Sequence, residues 1–415
     1  MSEQQSLKGR TIYLPQMSYG AVRCVAAAFR SVGLDAVPAP DSDSETLELG
    51  SRFTSGDECL PERITLGDFL KIVNQPGFDP KKVAFFMPTS GGPCRFGQYE
   101  GYIEKVMRQQ GHTDVMIFSP SSKNAYQGIG DSTFNRTAWR AFVISDLLQK
   151  LLFRTRPYEI HKGDTREAYE AALAAACEAL ARRSDHRDRM RHLVDVVAKY
   201  RDRLRVIPVD RNERRPLIGV VGEIFCRLHS FSNENLIERL EEHGGEAWIS
   251  DFCEWILYTS SQERSTLIRT GQRLSKGMLK NRITNWVQRH DEHQLLNPVH
   301  EDLVGYEEPS TIEELLRYSE PYLPPRGSLG EMVLNIGKAV YLHKKGAHGI
   351  IDISPFTCMN GIICEAVYPR VSRDLDGFPI RTFYFDGQAG DLDRDLGIFV
   401  ELARNYQRKR SKMAS

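Results

Sequence analysis

The feature that most constrains the fold is an alternation of short apolar strands with amphipathic helices, which occurs twice along the chain. In the first half, the sequence predicts a strand at 10–15, a helix at 19–32 and a strand at 35–38. The same plan returns after residue 216, with a strand, a helix and a strand at 217–221, 233–243 and 246–249. Such alternation is typical of parallel sheets covered by helices. We therefore predict an α/β protein with two flavodoxin- or Rossmann-like parallel-sheet domains joined by helical connectors.

The rest of the pattern sets the expected domain boundaries. Further helices are predicted at 64–73, 99–110, 331–345 and 394–408, and further strands at 82–87, 114–118, 349–353 and 382–385. We expect an N-terminal α/β domain at 1–136, a helical connector at 137–210 and a second α/β domain at 211–415. The second domain contains a long helical stretch at 252–297, and Gly222-Glu223-Ile224 is expected to lead from its first strand into a loop.

Composition excludes several classes of function. The 415 residues contain 55 Lys and Arg and 55 Asp and Glu, so no overall basic field attracts nucleic acid or an anionic membrane. No stretch approaches the roughly 18–20 apolar residues of a membrane-spanning helix, and Met1–Gln5 lack the start of a secretory signal. We expect a cytoplasmic protein. In that reducing compartment, spaced cysteines are more often metal ligands, catalysts or buried apolar residues than disulfides.

Three of the eight cysteines lie in turns that contain glycine or proline, namely Cys59, Cys94 and Cys358. Such turns expose the sulfur and place backbone N–H groups near it, which favours a thiolate or an anionic cluster. The chain has no CxxC pair, which argues against a zinc ribbon and a ferredoxin-like segment. From the residues alone two interpretations stay open. These cysteines bind one iron–sulfur cluster at a domain cleft, where they converge, or they are ordinary loop residues.

Other signals of function are weak. The sequence has no GxxxxGKS/T phosphate loop, no GxSxG nucleophile turn and no HExxH zinc helix. Cys24 and Cys177 fall inside predicted helices, and we interpret both as buried and inert thiols.

Five short segments carry a resemblance to a known family. They are Glu58–Pro61 (ECLP), Pro88–Tyr99 (PTSGGPCRFGQY), Gly222–Ile224 with Phe231–Asn233, and Pro355–Gly361 (PFTCMNG). Together they resemble the 2-hydroxyacyl-CoA dehydratase superfamily, in the branch related to acyl-CoA dehydratase activases and near the double-cubane cluster proteins. The resemblance covers nearly the whole chain and is weakest in the helical connectors.

The resemblance implies a site and a partner. It implies stacked flavodoxin-like domains with a 4Fe-4S cluster between them, bound here by Cys59, Cys94 and Cys358. A separate ATP-hydrolysing activator, which contains its own iron–sulfur cluster, would reduce it. Three thiolates leave one iron open to water or substrate, and an open iron can act as a Lewis acid. Pairs of such subunits are common in the family, so a homo- or heterodimer is expected.

The same resemblance leaves the chemistry open between two types. The dehydratases remove water from a 2-hydroxyacyl thioester by one-electron, ketyl-radical chemistry. The double-cubane proteins use six cysteine ligands to reduce small molecules, and Cys226, Cys253 and Cys364 are the further cysteines here. We favour the single cluster. Acyl-CoA or a small molecule would be the substrate if the chain is an enzyme; a non-catalytic electron-transfer or scaffold subunit and a metal-free binding domain are the alternatives.

Four polar residues near the cysteine turns are candidates for catalysis. Arg95 would offset the charge of a reduced cluster, Glu58 and Glu223 would relay protons, and Ser90 would donate a hydrogen bond to sulfide or substrate. For each of them the alternative is a helix-capping or loop-closing role.

Overall fold

The computed structural model describes residues 7–120, 132–328, 330–388 and 390–414. Met1–Gln5, on which the expectation about a secretory signal rests, lie outside these ranges. The described chain forms two four-stranded sheets whose strands are all parallel, with strand orders 2-1-3-4 and 6-5-7-8. These orders confirm the prediction of two flavodoxin- or Rossmann-like parallel sheets, because each places later strands on both sides of its first strand.

The first sheet is built from the N-terminal third of the chain. Its strands are β1 (Thr11–Leu14), β2 (Asp35–Pro38), β3 (Val83–Phe86) and β4 (Met116–Phe118). Its helices are α1 (Tyr19–Ser31), α2 (Ser44–Ser51), α3 (Leu60–Val73) and α4 (Tyr99–Gln109). Helix α2 was not predicted. Asp43 begins it by accepting a hydrogen bond from the Thr46 N–H, while Thr46 Oγ1 accepts one from the Asp43 N–H.

Three long helices follow the first sheet: α5 (Ser132–Thr155), α6 (Asp164–Ala181) and α7 (His186–Arg205). Helix α5 packs against α1 on one side and against the second sheet on the other. It therefore ties the two sheets into one continuous apolar core, which includes Ile12 of β1, Leu148 of α5 and Ile351 of the second sheet. A smaller cluster under the first sheet centres on Phe69 and Phe85, whose stacked rings are 4.1 Å apart.

The second sheet is built from the C-terminal half. Its strands are β5 (Leu217–Gly222), β6 (Glu246–Ile249), β7 (Gly349–Pro355) and β8 (Ile380–Phe385). Its helices are α8 (Ile224–Leu228), α9 (Leu236–Glu242), α10 (Phe252–Arg269), α11 (Lys276–Leu296), α12 (Ile312–Ser319), α13 (Met332–Lys344), α14 (Met359–Asp374) and α15 (Leu392–Ala414). Every residue of β5, β6 and β7 is buried, as expected for strands that helices cover on both faces. Within the described ranges, every helix falls short of the length and apolarity needed to cross a membrane.

One local prediction is wrong. Residues 222–224 were expected to lead into a loop, but they lead into α8, a helix of five residues. Glu223 starts this helix because its carboxylate accepts the N–H groups of Phe225 and Cys226 at 3.0 and 2.9 Å. A carboxylate cap of this kind is hard to foresee when the helix that follows is so short. The proposed domain boundaries stay a prediction.

Candidate functional site

The carboxyl ends of the two sheets face each other. Ser42, which follows β2, has its hydroxyl 3.1 Å from Nε2 of His229, which follows α8. Arg63 of α3 donates a hydrogen bond of 3.0 Å to the carbonyl of Asp386, directly after β8. In each sheet the connections diverge between the two central strands, and ligands of open α/β sheets bind at that position. The two binding edges therefore form one shared crevice.

Cys59, Cys94 and Cys358 occupy equivalent places around this crevice. Each is the residue directly before a helix: Cys59 before α3, Cys94 before the short 3₁₀-helix Arg95–Gln98, and Cys358 before α14. Their backbones are also alike, with φ of −74°, −70° and −69° and ψ of 154°, 134° and 123°. The N-terminus of a helix carries partial positive charge and free N–H groups, which stabilise a negative sulfur.

Arg95 links the three cysteine turns. Its guanidinium donates to the carbonyl of Asp57, two residues before Cys59. It also donates to the carbonyl and the hydroxyl of Thr357, one residue before Cys358, at 2.9 Å each. Because Arg95 itself directly follows Cys94, one side chain holds together segments that are 262 residues apart in sequence. The planar, forked guanidinium suits this role, since it can donate in several directions at once.

The turn before Cys358 is strained. Thr357 has a φ of +65°, in the left-handed region that β-branched residues rarely adopt. Strain of this kind persists only where the surrounding structure imposes it, and it is concentrated at functional sites. Here the two hydrogen bonds from Arg95 hold Thr357, and Cys358 follows it in the turn after β7.

The half-buried residue Glu223 is close enough to the three thiols for its charge to act on each of them. Burial is the main cause that raises the pKa of Cys59 to about 11 and that of Cys358 to about 12, and the negative charge of Glu223 adds to both shifts. Partial desolvation of the sulfur, followed by the charge of Glu223, also raises the pKa of Cys94, although the residue as a whole is exposed. One carboxylate thus acts on all three sulfurs, and without a bound metal all three are protonated thiols at neutral pH.

Several donors oppose this effect. The backbone N–H groups of Gly361 and Asn360 offset part of the rise in the pKa of Cys358. The N–H of Phe96 does the same for Cys94. The hydroxyl of Tyr99 is in hydrogen-bond contact with Cys59 Sγ and lowers its pKa. These groups are set to stabilise thiolates once a cation replaces the thiol protons.

The donor set can be tested against an iron–sulfur cluster. Among the described residues, no group of three or more His, Cys, Asp or Glu side chains is arranged around a single metal ion. A cubane cluster differs from a single ion, because each of its irons binds a separate cysteine. The sulfurs of these cysteines therefore lie further from one another than the ligands of one ion do. Three thiols at three helix starts, with N–H donors and Arg95 beside them, are ligands of the type that such a cluster takes. Binding of a cluster by these residues stays a prediction.

Below the thiols lies a second group of buried charges that the sequence did not indicate. Glu331 accepts the Ile224 N–H at 3.3 Å, and Asp352 of β7 accepts the hydroxyls of Tyr368 and Ser354 at 2.5 and 3.1 Å. Arg227 is also buried, and its positive charge lowers the pKa of both carboxyls. Burial nevertheless raises the pKa of Glu331 to about 8 and that of Asp352 to about 6. The site therefore has groups that can hold a proton near neutral pH.

The four predicted catalytic residues lie in different settings. Arg95 and Glu223 are at the centre of the site, as described. Glu58 instead closes its own turn by accepting the N–H groups of Ser55 and Gly56 at 2.7 and 3.2 Å, the loop-closing alternative. Burial raises the pKa of Glu58, but hydrogen bonds from backbone N–H groups lower it by more. The net pKa is therefore below its ordinary value, and Glu58 is ionised at neutral pH. Ser90 is half-buried between β3 and Cys94.

The sequence analysis missed three residues of the site, and the sequence offers a different amount of information about each. Tyr99 lies in a segment that carried the resemblance, but its role requires knowing that α4 begins beside Cys59. Asp352 is an ionisable residue inside an otherwise apolar strand, which is a usable sign of a buried polar site. Glu331 directly precedes α13 and looks like any acidic residue at a helix start.

Gly222 allows β5 and β7 to approach each other where Glu223 begins. Its φ is +121°, and a Cβ there would lie 2.1 Å from the carbonyl oxygen of Ile353. We expect Gly222→Ala to lower the free energy of unfolding by at least about 2 kcal/mol. Gly101→Ala is the control, because nothing lies within 4 Å of the corresponding Cβ. Equal urea midpoints for the two variants would contradict this account of Gly222.

Glu331 gives the site a pH dependence. Its pKa is raised from 4.5 to about 8 by burial, then by Glu223, so the folded state holds the proton more tightly than the unfolded state. Its contribution to stability is full below pH 4.5 and is lost as the pH rises to about 8. In metal-free protein, Glu331→Gln should flatten this decline by up to about 1.4 kcal/mol per pH unit. Urea unfolding of both proteins between pH 4.5 and about 8 measures this change in slope. Glu178→Gln, at an exposed position of α6, should leave the slope unchanged.

Compared with known proteins, the chain matches no protein-family model and no curated protein. Membership of the 2-hydroxyacyl-CoA dehydratase superfamily therefore stays a prediction from the motif resemblance.

Proposed function

We propose that Cys59, Cys94 and Cys358 bind one 4Fe-4S cluster and that the protein works as an iron–sulfur protein of the 2-hydroxyacyl-CoA dehydratase type. It would accept low-potential electrons from an ATP-hydrolysing activator and use them in reductive or dehydrating chemistry. The observation that carries this proposal is the bridge formed by Arg95. That bridge joins three cysteine turns from distant parts of the chain at the binding edge of two parallel sheets.

The residues around the thiols have separable tasks in this proposal. When bound, the cluster supplies one electron at a time and an iron without a cysteine ligand, which can polarise an oxygen of the substrate. Arg95 places a positive charge beside the thiolates of Cys59 and Cys94, whose pKa it lowers. It thereby offsets the added negative charge of the reduced state.

Proton transfer falls to the buried carboxyl groups. The charge of Glu223 acts on all three sulfurs, and burial raises the pKa of Glu223; Glu331 is close enough for that charge to raise its pKa in turn. Two neighbouring carboxyls in a buried site do not ionise together easily, so one of them keeps a proton at neutral pH. Elimination of water requires a proton for the leaving hydroxyl, and this pair is placed to give it.

The remaining cysteines favour a single cluster over a double one. Cys253 lies at the start of α10, where its backbone N–H donates to Asp146 at 2.9 Å, and Cys364 is fully buried with Sγ 3.6 Å from the Met332 carbonyl. Cys226 is also fully buried, although the charges of Cys59 and Cys358 act on it. Cys59 is buried as well, so burial does not set these three thiols apart. Each of them lies inside a helix, whereas the three predicted ligands lie directly before one.

The function is tested by reducing the protein with an activator and ATP under anaerobic conditions, followed by addition of 2-hydroxyacyl-CoA thioesters or small-molecule oxidants. Dehydration or reduction of an added compound, lost in Cys94→Ala, is the expected result. ATP-dependent bleaching of the cluster without turnover would favour the electron-transfer subunit instead. Absence of any activator-dependent change in the absorption of the iron-loaded protein would overturn the proposal.

A further inference from the structure

Two cysteines outside the three cysteine turns of the crevice lie side by side. Cys24 of α1 and Cys177 of α6 are 153 residues apart in sequence, yet their Sγ atoms are 4.0 Å apart. Cys24 is fully buried, whereas Cys177 is half-buried. We predicted that both thiols are buried and inert. Cys24 is buried as predicted, whereas Cys177 is only half-buried, and the packing of α1 on α6 brings the two thiols together.

The accessible thiol opens onto a basic cavity. Cys177 lines a cavity of about 280 Å³ whose other side chains include Arg23, Arg30 and Glu170. Arg30 donates to the Ala36 carbonyl at 2.7 Å, and among the described residues no carboxylate forms an ion pair with it. Arg23 approaches Asp41 at 3.9 Å, but the Asp41 side chain is 81% exposed. Arg23 also donates to the Tyr19 carbonyl at 2.9 Å and lies over the Tyr19 ring. Both guanidinium groups keep further N–H donors for an anionic guest.

The two thiols are electrostatically unequal. The hydrogen bond with Cys24 lowers the pKa of Cys177; burial opposes this shift, and the charges of Arg30 and Arg23 support it. The same hydrogen bond, followed by burial, raises the pKa of Cys24 well above its ordinary value. The thiolate is the attacking form in exchange reactions, so Cys177 is suited to attack first and Cys24 second.

We propose that Cys177 and Cys24 form a thiol–disulfide exchange site that takes an anionic low-molecular-weight disulfide, of the type of oxidised glutathione. The cavity volume of about 280 Å³ is slightly smaller than the range for drug-sized molecules, about 300–1,000 Å³, so the cavity suits one half of such a molecule. Arg23 and Arg30 bind its carboxylates, and Cys177 meets its sulfur.

The chemistry balances in two steps. The Cys177 thiolate attacks one sulfur of the bound disulfide, a mixed disulfide forms, and the first small thiolate leaves. Cys24 then loses its proton and attacks Cys177 Sγ, which releases the second small thiol and forms the Cys24–Cys177 disulfide. Two electrons pass from the two cysteines to the small disulfide. The sulfurs must close from 4.0 Å to a bond of about 2 Å. The product links α1 to α6.

The test uses the full chain with oxidised glutathione, and peptide mass mapping identifies each modified cysteine. Wild type is expected to lose two hydrogens in a Cys24–Cys177 disulfide. Cys24→Ser is expected to retain a glutathionyl group on Cys177, and Cys177→Ser to show neither product. Circular dichroism of each variant confirms folding. A wild-type protein that forms no Cys24–Cys177 disulfide, or a glutathionyl group on Cys24 in Cys177→Ser, would overturn the proposal.

The charge of the guest is tested separately. Wild type should react at least several-fold faster with oxidised glutathione than with the neutral 2-hydroxyethyl disulfide. Arg30→Gln should lower the rate with oxidised glutathione more than it lowers the rate with 2-hydroxyethyl disulfide, so the ratio of the two rates should fall. Equal rates with both compounds in wild type would contradict the anion site. The reactions are independent of iron, so their outcome does not depend on the proposed function of the crevice.

Discussion

Cys358→Ala, purified without oxygen, is expected to lose most of its iron and acid-labile sulfide. Cys59→Ala and Cys94→Ala should do the same. Each of these thiols lies directly before a helix at the shared crevice, so removal of any one leaves two ligands on two separate turns. A cluster held by two such cysteines exchanges its open irons with water and decomposes. Iron and sulfide per chain, measured on protein reconstituted in parallel with wild type, give the result.

Cys253→Ala is the matched control for this series. Cys253 is buried at the start of α10, and the charged groups that act on it are Asp146, Glu292 and Asp251 rather than the three predicted ligands. Its replacement should therefore leave the iron content unchanged. Full iron content in all three crevice variants would refute the ligand set. Loss of iron only in Cys226→Ala or Cys253→Ala would show that a different set of cysteines binds the iron.

Cys358 follows a strand of the second sheet, whereas Cys59 and Cys94 belong to the helices and loops of the first sheet. A cluster bound by all three would therefore link the two sheets. Bound metal stabilises the folded state in proportion to its affinity, because the unfolded chain lacks the site. The melting temperature of iron-loaded wild type should therefore exceed that of each cysteine variant. After treatment with a chelator, wild type and variants should melt close together.

Arg95→Leu is expected to weaken the site nearly as much as loss of a cysteine. The substitution removes the hydrogen bonds to the carbonyls of Asp57 and Thr357 and the positive charge beside Cys59 and Cys94. Hydrogen bonds from a charged donor contribute about 1.5–3 kcal/mol each, so loss of iron to a chelator should become at least about tenfold faster. The rate of iron transfer to a coloured chelator under anaerobic conditions measures this.

Two further variants separate charge from geometry. Arg95→Lys keeps the charge but lacks the forked donors, so its rate should lie between those of wild type and Arg95→Leu. Arg52→Leu removes an exposed arginine that pairs with Glu48 on α2 and should behave as wild type. If Arg95→Leu released iron at the wild-type rate, the bridge between the three turns would have no role in holding the cluster.

Local sequence patterns were sufficient to predict most of the fold. The strands at 35–38 and 246–249 have the predicted bounds, because short runs of apolar and β-branched residues between glycines and prolines leave few alternatives. The helix predicted at 64–73 begins earlier, at Leu60, since Pro61 is well suited to a first helical turn. Helix α8 was missed because its start depends on one capping carboxylate and its length is only five residues.

The site was predictable only in part. Cys59, Cys94 and Cys358 could be selected because glycine and proline in their turns are local signals. Glu331 and Tyr99 could not, since each acquires its role only when α13 and α4 pack beside the crevice. The pairing of Cys24 with Cys177 is likewise a consequence of how α1 packs against α6, and no local pattern encodes a contact across 153 residues.

The central claim is that the crevice binds an iron–sulfur cluster, and metal analysis of the wild-type protein tests it most directly. Protein purified and reconstituted without oxygen should contain about four iron and about four sulfide per chain, or about eight iron for a double cluster. It should lose its charge-transfer absorption on exposure to air. Protein that contains neither iron nor sulfide after reconstitution would contradict the account and would leave the crevice as a metal-free binding site.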